Sequence, residues 1–339
     1  MSILHVTNGD CARVLMERSG IPGTFLAWPD VLHEGPTPLA SGDEWIEVRA
    51  RYLASDGFGT AGAEALNDVL EKYGASDRTL ESYASYDEVV FWFEHDLFDQ
   101  LLLIRHLWWL RGKAGPRFSL VCGDEYLGLL RPEEFPPLFE ARRTITAEHI
   151  RIGARAWEAF CSEDPAGLLP FAAAEDTGQS GLLPYLAAAI RRHLEEFPST
   201  TNGLARSERQ ILQVLSEGLR TPDEAFVEAA KLEESIFMGD LSFWTIVRRL
   251  VECARPLVAA QVQPRDGRLP SGTLALTADG AAVLAGRADH VALNGIDRWL
   301  GGVRLEGGSR TAPAATPERL WRWTGSTLRP SPSLLPPAS

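Results

Sequence analysis

Three short strings carry most of the side chains in this chain that could do chemistry. Glu94-His95-Asp96 is the densest, with Asp99 and Gln100 just beyond. An imidazole between carboxylates is the pairing used for general acid–base transfer. His33-Glu34, preceded by Asp30 and followed by Gly35-Pro36, offers the same two groups in a loop stiffened by proline. Asn8-Gly9-Asp10 stands where a strand gives way to a helix, so an anion there would meet backbone N–H groups and a helix dipole. On this reading His95, Asp10, Glu34 and His33 are the acid–base candidates. Asn8, Gly9, Asp30, Glu94, Asp96, Asp99 and Gln100 would contact a ligand, with Arg142 and Arg143 clamping its phosphate or carboxylate at the pocket edge.

Some of these residues have a structural role that would account for them. Asp10 and Asp96 are placed to cap helices, and Asp99 suits the positive end of one. Nothing of the kind accounts for Glu94 or His95, which are costly at the end of a buried strand unless they are used. Asp10, His33, Glu34, His95 and Asp96 include types that ligate zinc or a first-row ion, but no H-x-x-x-H or H-E-x-x-H spacing sets two ligands on one element. The metal question therefore stays open. The single glycine after the first strand meets neither the dinucleotide fingerprint nor the P-loop, and no G-x-S-x-G string is present, so no cofactor class is indicated. Cys11, Cys122, Cys161 and Cys253 are widely spaced with no C-x-x-C pair, and are expected to be reduced.

The elements that must position these groups are four apolar runs, residues 3–7, 24–28, 88–93 and 117–122, each breaking into polar residues; the last breaks into Gly123-Asp124-Glu125. Interleaved helical segments at 11–18, 42–54, 61–73 and 97–111 make the class α/β. The expected architecture is a Rossmann-like parallel-sheet domain over 1–130, with the four clusters meeting at the carboxyl ends of the strands. A helical extension over 131–200 would pack on that domain. Residues 204–304 read as a winged-helix-like domain. Ser207 with Gln210 forms one capping signal, Thr221-Pro222-Asp223-Glu224 a second, and Asp240 opens a third helix before a hairpin at 256–276. The tail, 305–339, is expected to be largely disordered, except that Trp321-Arg322-Trp323 docks back as a short strand.

The chain of 339 residues has a net charge of −13, carried mainly by its first part. Residues 1–203 hold 17 Lys and Arg against 31 Asp and Glu, which disfavours polyanions there. The third helix of the C-terminal domain offers only Arg248 and Arg249, so a protein is a better-suited partner for it than a nucleic acid. No signal peptide or spanning segment is recognisable, since the most apolar stretch, 97–110, contains Asp99, Gln100, Arg105 and His106. The expectation is a cytoplasmic protein with a small-molecule ligand and no membrane partner.

The strings at 8–10, 30–36 (Asp-Val-Leu-His-Glu-Gly-Pro) and 92–101 (Trp-Phe-Glu-His-Asp-Leu-Phe-Asp-Gln-Leu) resemble the bacterial domain-of-unknown-function family 1835. The resemblance covers about the first 125 residues, and the region 196–208 is similar to the longer members. It implies a site at these residues without naming a reaction.

Overall fold

A computed structural model describes residues 1–55, 63–174, 181–308 and 320–331. The chain divides into two compact units, the first built from residues 1–33, 37–55 and most of 60–190, the second from 34–36 and 191 onward.

In the first unit, β1 (Ile3–Thr7), α1 (Asp10–Arg18) and β2 (Thr24–Ala27) form a parallel β-α-β start. The two-residue strand β3 (Gly35–Pro36) leaves this unit for the second. Next come α2 (Gly42–Leu53), α3 (Ala63–Glu81), β4 (Glu88–Phe93), α4 (Leu97–Trp109) and β5 (Arg117–Cys122). The chain continues through α5 (Phe135–Glu140), β6 (Arg143–Thr144), α6 (Ala147–Phe160), α7 (Leu169–Ala172) and α8 (Leu186–Leu194). The five-stranded sheet has the order β2-β1-β4-β5-β6, parallel except for β6. All six residues of β4 are buried, as a strand covered on both faces requires.

Alternation along the strands sorts the core. Val90 and Trp92 join Ile3, Met16 and Phe135 on one side. On the other, Phe91 and Phe93 stack near His106 of α4. His5 is buried in the first layer, where its Nδ1 accepts from Trp92 Nε1 at 3.0 Å and its Nε2 lies 3.2 Å from the Pro22 carbonyl. Helix α3 runs past the expected end at residue 73, because one interior glycine, Gly74, costs a helix only about 1 kcal/mol. The start of the predicted 61–73 segment lies outside the described residues.

The second unit holds α9 (Arg206–Ser216), α10 (Pro222–Ala230), α11 (Asp240–Glu252) and the antiparallel pair β7 (Val258–Gln263) and β8 (Ser271–Leu276). Ile211, Leu215, Phe243, Val247, Leu250 and Leu274 are in its core. Thr221 and Glu224 cap α10 reciprocally as expected. Two capping expectations are corrected. Ser207 lies inside α9, where Glu208 accepts from Ala205 N, and its hydroxyl instead bridges Arg192 and Glu196. Asp240 is the first residue of α11 and Gly239 its N-cap, so Asp240 does not cap the helix from the expected position; its Oδ1 accepts from the adjoining Leu241 N at 2.8 Å.

Beyond the hairpin lie α12 (Ala278–Leu284), α13 (His290–Asn294), β9 (Ile296–Gly301) and β10 (Val303–Gly307). The sheet β10-β9-β3 takes Gly35–Pro36 as its third strand, parallel to β9. Gly35 makes that exit with φ 77°, a backbone region that favours glycine. Trp321–Trp323 forms β11, paired with β12 (Leu328–Pro330) and bridged to Ser199, so this part of the tail is strand, as expected. The remaining tail residues, 309–319 and 332–339, lie outside the described ones. The boundary between units falls at 190/191, inside α8, earlier than the expected division at 200–204. Among the described residues no helix is long and apolar enough to cross a membrane.

Candidate functional site

The strand order creates a switch point. From β1 the chain moves to β2 on one side and later to β4 on the other, the reversal of strand order at which open α/β sheets place their ligand sites. Asn8 follows β1 and Glu94 follows β4, so both stand at this point. The Asn8 Nδ2 donates to Glu94 Oε1 and to Asp99 Oδ2, both at 2.9 Å. Leu127 N, after β5, donates to the same Glu94 oxygen at 2.8 Å. Asp99 Oδ1 accepts from Glu94 N at 2.9 Å, and Asp96, the N-cap of α4, accepts from Asp99 N at 3.1 Å. Gln100 Nε2 donates to the Glu94 carbonyl at 2.6 Å, and its buried Oε1 has no hydrogen-bond partner among the described residues. The carboxyl ends of β1, β4 and β5 are thus tied together around three acids.

Glu94, Asp96 and Asp99 are all buried and each offers an oxygen within 4.8 Å of the others. Burial, and then mutual repulsion, raises the affinity of Asp99 and Asp96 for protons; Asp96 is pushed up to about 7 and Asp99 well above its ordinary range. Glu94 is raised chiefly by burial, against the pull of Asn8 and Leu127 N. The group therefore holds protons near neutral pH. An all-oxygen set of this kind would suit a hard divalent cation better than zinc.

His95 points into different company. Its ring lies 5.0 Å from that of Tyr126 and 5.9 Å from that of Tyr185, and its buried Nδ1 has no partner among the described residues. Burial lowers its proton affinity, opposed by Asp124 and Glu125, so the imidazole is neutral at pH 7 and able to accept a proton. Against β5 and the carboxyl end of β4 is a cavity of ≈180 Å³ lined by Phe93, Cys122, Glu125, Arg143 and His149, among others. Arg143 is exposed on its rim. The Cys122 thiol is pushed up to about 12 by burial, which leaves it unreactive.

Several predicted site residues are held elsewhere. Asp10 begins α1 and is exposed, paired with Arg13 at 3.1 Å and Lys72 at 3.6 Å; it neither caps the helix nor joins the acids. Gly9 is the residue before α1, with nothing within 4 Å of where a Cβ would stand. Asp30 is wholly buried against Arg49, at 3.0 Å from Nε and 2.7 Å from Nη2, so its oxygens serve an internal ion pair rather than a ligand. His33 is buried with its ring 6.1 Å from Phe98 in the first turn of α4. Glu34 belongs to the second unit, where it accepts from Arg249 at 3.2 Å, because the chain turns into β3 immediately after it. The mixed metal set of Asp10, His33, Glu34, His95 and Asp96 is consequently not assembled. Arg142 sits at the opposite, amino-terminal end of β4, clamping Glu88 at 2.9 and 3.1 Å.

His149 and the two tyrosines were not among the predicted residues. His149 N is the third residue of a capped turn with Thr146, a signal that reads as structure. Tyr126 and Tyr185 are brought to His95 only by the fold. Arg192, from a basic string at the end of α8, is buried among Glu196, Glu233 and Ser207. No protein-family model matches the chain, and none of the curated proteins matches it.

Proposed function

We propose that the first unit is a Rossmann-like domain of the family-1835 type and that the carboxyl edge of its sheet binds and acts on a phosphorylated or nucleotide-like small molecule. The observation that supports this reading is the ≈180 Å³ cavity lined by Phe93, Cys122 and Arg143, together with His95, two residues past Phe93 in the chain, whose buried Nδ1 has no partner among the described residues. His95 is the general base. Asp96, with its proton affinity near neutrality, is the matching acid. Two titratable neighbours pushed to opposite protonation states are a division of labour suited to acid–base chemistry. Arg143 on the rim meets the anionic group of the ligand. A thermal-shift screen against nucleotides, sugar phosphates and adenosyl compounds tests this. A ligand at 100 times its Kd adds about 2.7 kcal/mol, roughly 5–10 °C for a domain this size. The shift should vanish in His95→Ala; a hit unaffected by both His95→Ala and Arg143→Ala would remove the assignment.

A second reading rests on the second unit as a winged-helix-like domain used for protein contact. Leu219, Val227, Ile236 and Leu241 stand 45–62% exposed on it. Exposed apolar residues suit a protein surface better than a phosphate backbone. Salt-dependent binding of a DNA duplex at physiological ionic strength would count against this preference.

A further inference from the structure

Arg105, in the third turn of α4, is a buried cation without an acceptor. The residue is 4% exposed, and among the described residues its guanidinium makes no hydrogen bond or ion pair. The nearby carboxylates do not serve it. Asp30 gives its oxygens to Arg49, while Asp77 acts on Arg105 only as a charge at a distance. Arg49 is the useful contrast within the same unit. It is equally buried but bonded to both Asp30 oxygens and to the Val31 carbonyl, as a guanidinium serving stability should be.

Two indoles pack against Arg105. Its Cζ lies 4.8 Å from the Trp28 ring centroid and 4.4 Å from that of Trp45. A guanidinium held by cation–π contacts keeps its in-plane N–H fork, which matches two oxygens of one group. The surroundings hold further donors. Nε1 of Trp28, of Trp45 and of Trp157, whose ring is 5.6 Å from that of Trp45, are buried with no acceptor among the described residues. Burial lowers Arg105 only to about 10, so it keeps its charge at neutral pH, while the adjoining His106 is uncharged.

We infer that Arg105 anchors an oxyanion-binding site, taking a carboxylate or phosphate group on its fork beside the Trp28 and Trp45 rings. Trp28 directly follows β2, so this site lies towards the outer strand of the sheet and does not depend on the reading given for His95.

The test titrates the whole protein with inorganic phosphate and, separately, with acetate, chloride holding the ionic strength constant, read by Tm and by calorimetry. One of the two should saturate and raise Tm by roughly 3–6 °C at ten times its apparent Kd. Phosphate alone assigns a phosphoryl group, acetate alone a carboxylate. Arg105→Gln, checked for folding by circular dichroism, should lose the response. Arg105→Lys, which keeps the charge without the fork, should weaken it at least tenfold, and decides the matter if the glutamine variant does not fold. Absence of saturable binding by either anion, or an unchanged apparent Kd in a folded variant, overturns the inference.

Discussion

Asn8 and Asp99 are 91 positions apart in the chain, yet the Asn8 carboxamide donates to Asp99 Oδ2 at 2.9 Å while its same nitrogen holds Glu94. One neutral side chain thus braces two buried acids across the switch point. Asn8→Ala should destabilise the first unit by about 1–3 kcal/mol, since each of the two lost bonds is worth ~0.5–1.5 kcal/mol to a protonated acid and more to an ionised one. Asn8→Asp should cost more at pH 8 than at pH 5, because it adds a fourth carboxylate. Denaturant melts at the two pH values check both, and equal losses for Asn8→Asp at pH 5 and 8 would contradict the account.

The acid cluster sets the alkaline limb of stability. Asp96 binds its proton more tightly in the folded chain (about 7) than unfolded, so the folded state holds more protons between about pH 4 and 7. Stability from this group is full below the unfolded value and falls as pH rises through 7. Asp96→Asn keeps an N-cap acceptor while removing the charge. The variant should be more stable than the parent at pH 8, by roughly 1–3 kcal/mol, and similar to it at pH 4.5.

The acid limb belongs to buried histidines. His5 is lowered to about 4 and His106 to about 3, both chiefly by burial, so each favours folding above the unfolded value near 6.5 and loses that contribution as pH falls towards 4 and below. His106→Phe keeps an aromatic ring among Trp28, Phe91 and Phe93. Its Tm should decline less than that of the parent between pH 6.5 and 4.5; parallel curves would show that His106 is not a contributor.

Helix α6 approaches α4 at Gly153, where an added Cβ would meet Leu107 Cδ1 at 2.4 Å and Cβ at 2.6 Å. Alanine normally stabilises a helix interior relative to glycine by up to about 1 kcal/mol. Here overpacking wins, and Gly153→Ala should cost about 1–3 kcal/mol in a urea melt.

Arg142 and the cavity can be separated by one variant. Arg142→Ala leaves buried Glu88 short of its main partner, with Ser119 and Arg117 remaining, so a loss of about 2–4 kcal/mol is expected. Ligand affinity measured well below the melting temperature should be unchanged, whereas Arg143→Ala should weaken it with little effect on stability.

The sequence determined what local patterning can encode. The runs 3–7, 88–93 and 117–122 are strands at those bounds, and α4 begins at the Asp96 cap, because continuous burial and capping chemistry are properties of neighbours along the chain. It likewise indicated the strand-end strings, since polar groups that interrupt apolar runs stand out without a structure. Only the tertiary structure decided what those groups face. Asp30 and Arg142 look like ligand contacts in the string, but Arg49, 19 residues on, and Glu88, 54 residues back, take up their charges. His33 and Glu34 are adjacent, yet the φ of Gly35 and the pairing of β3 with β9 send Glu34 to a partner 215 residues away. The cage around Arg105 draws Trp28 and Trp45 from distant segments, and no spacing rule joins them. Periodicity reports which face of an element is buried; which charge neutralises which depends on three-dimensional proximity, and that is settled when the elements pack.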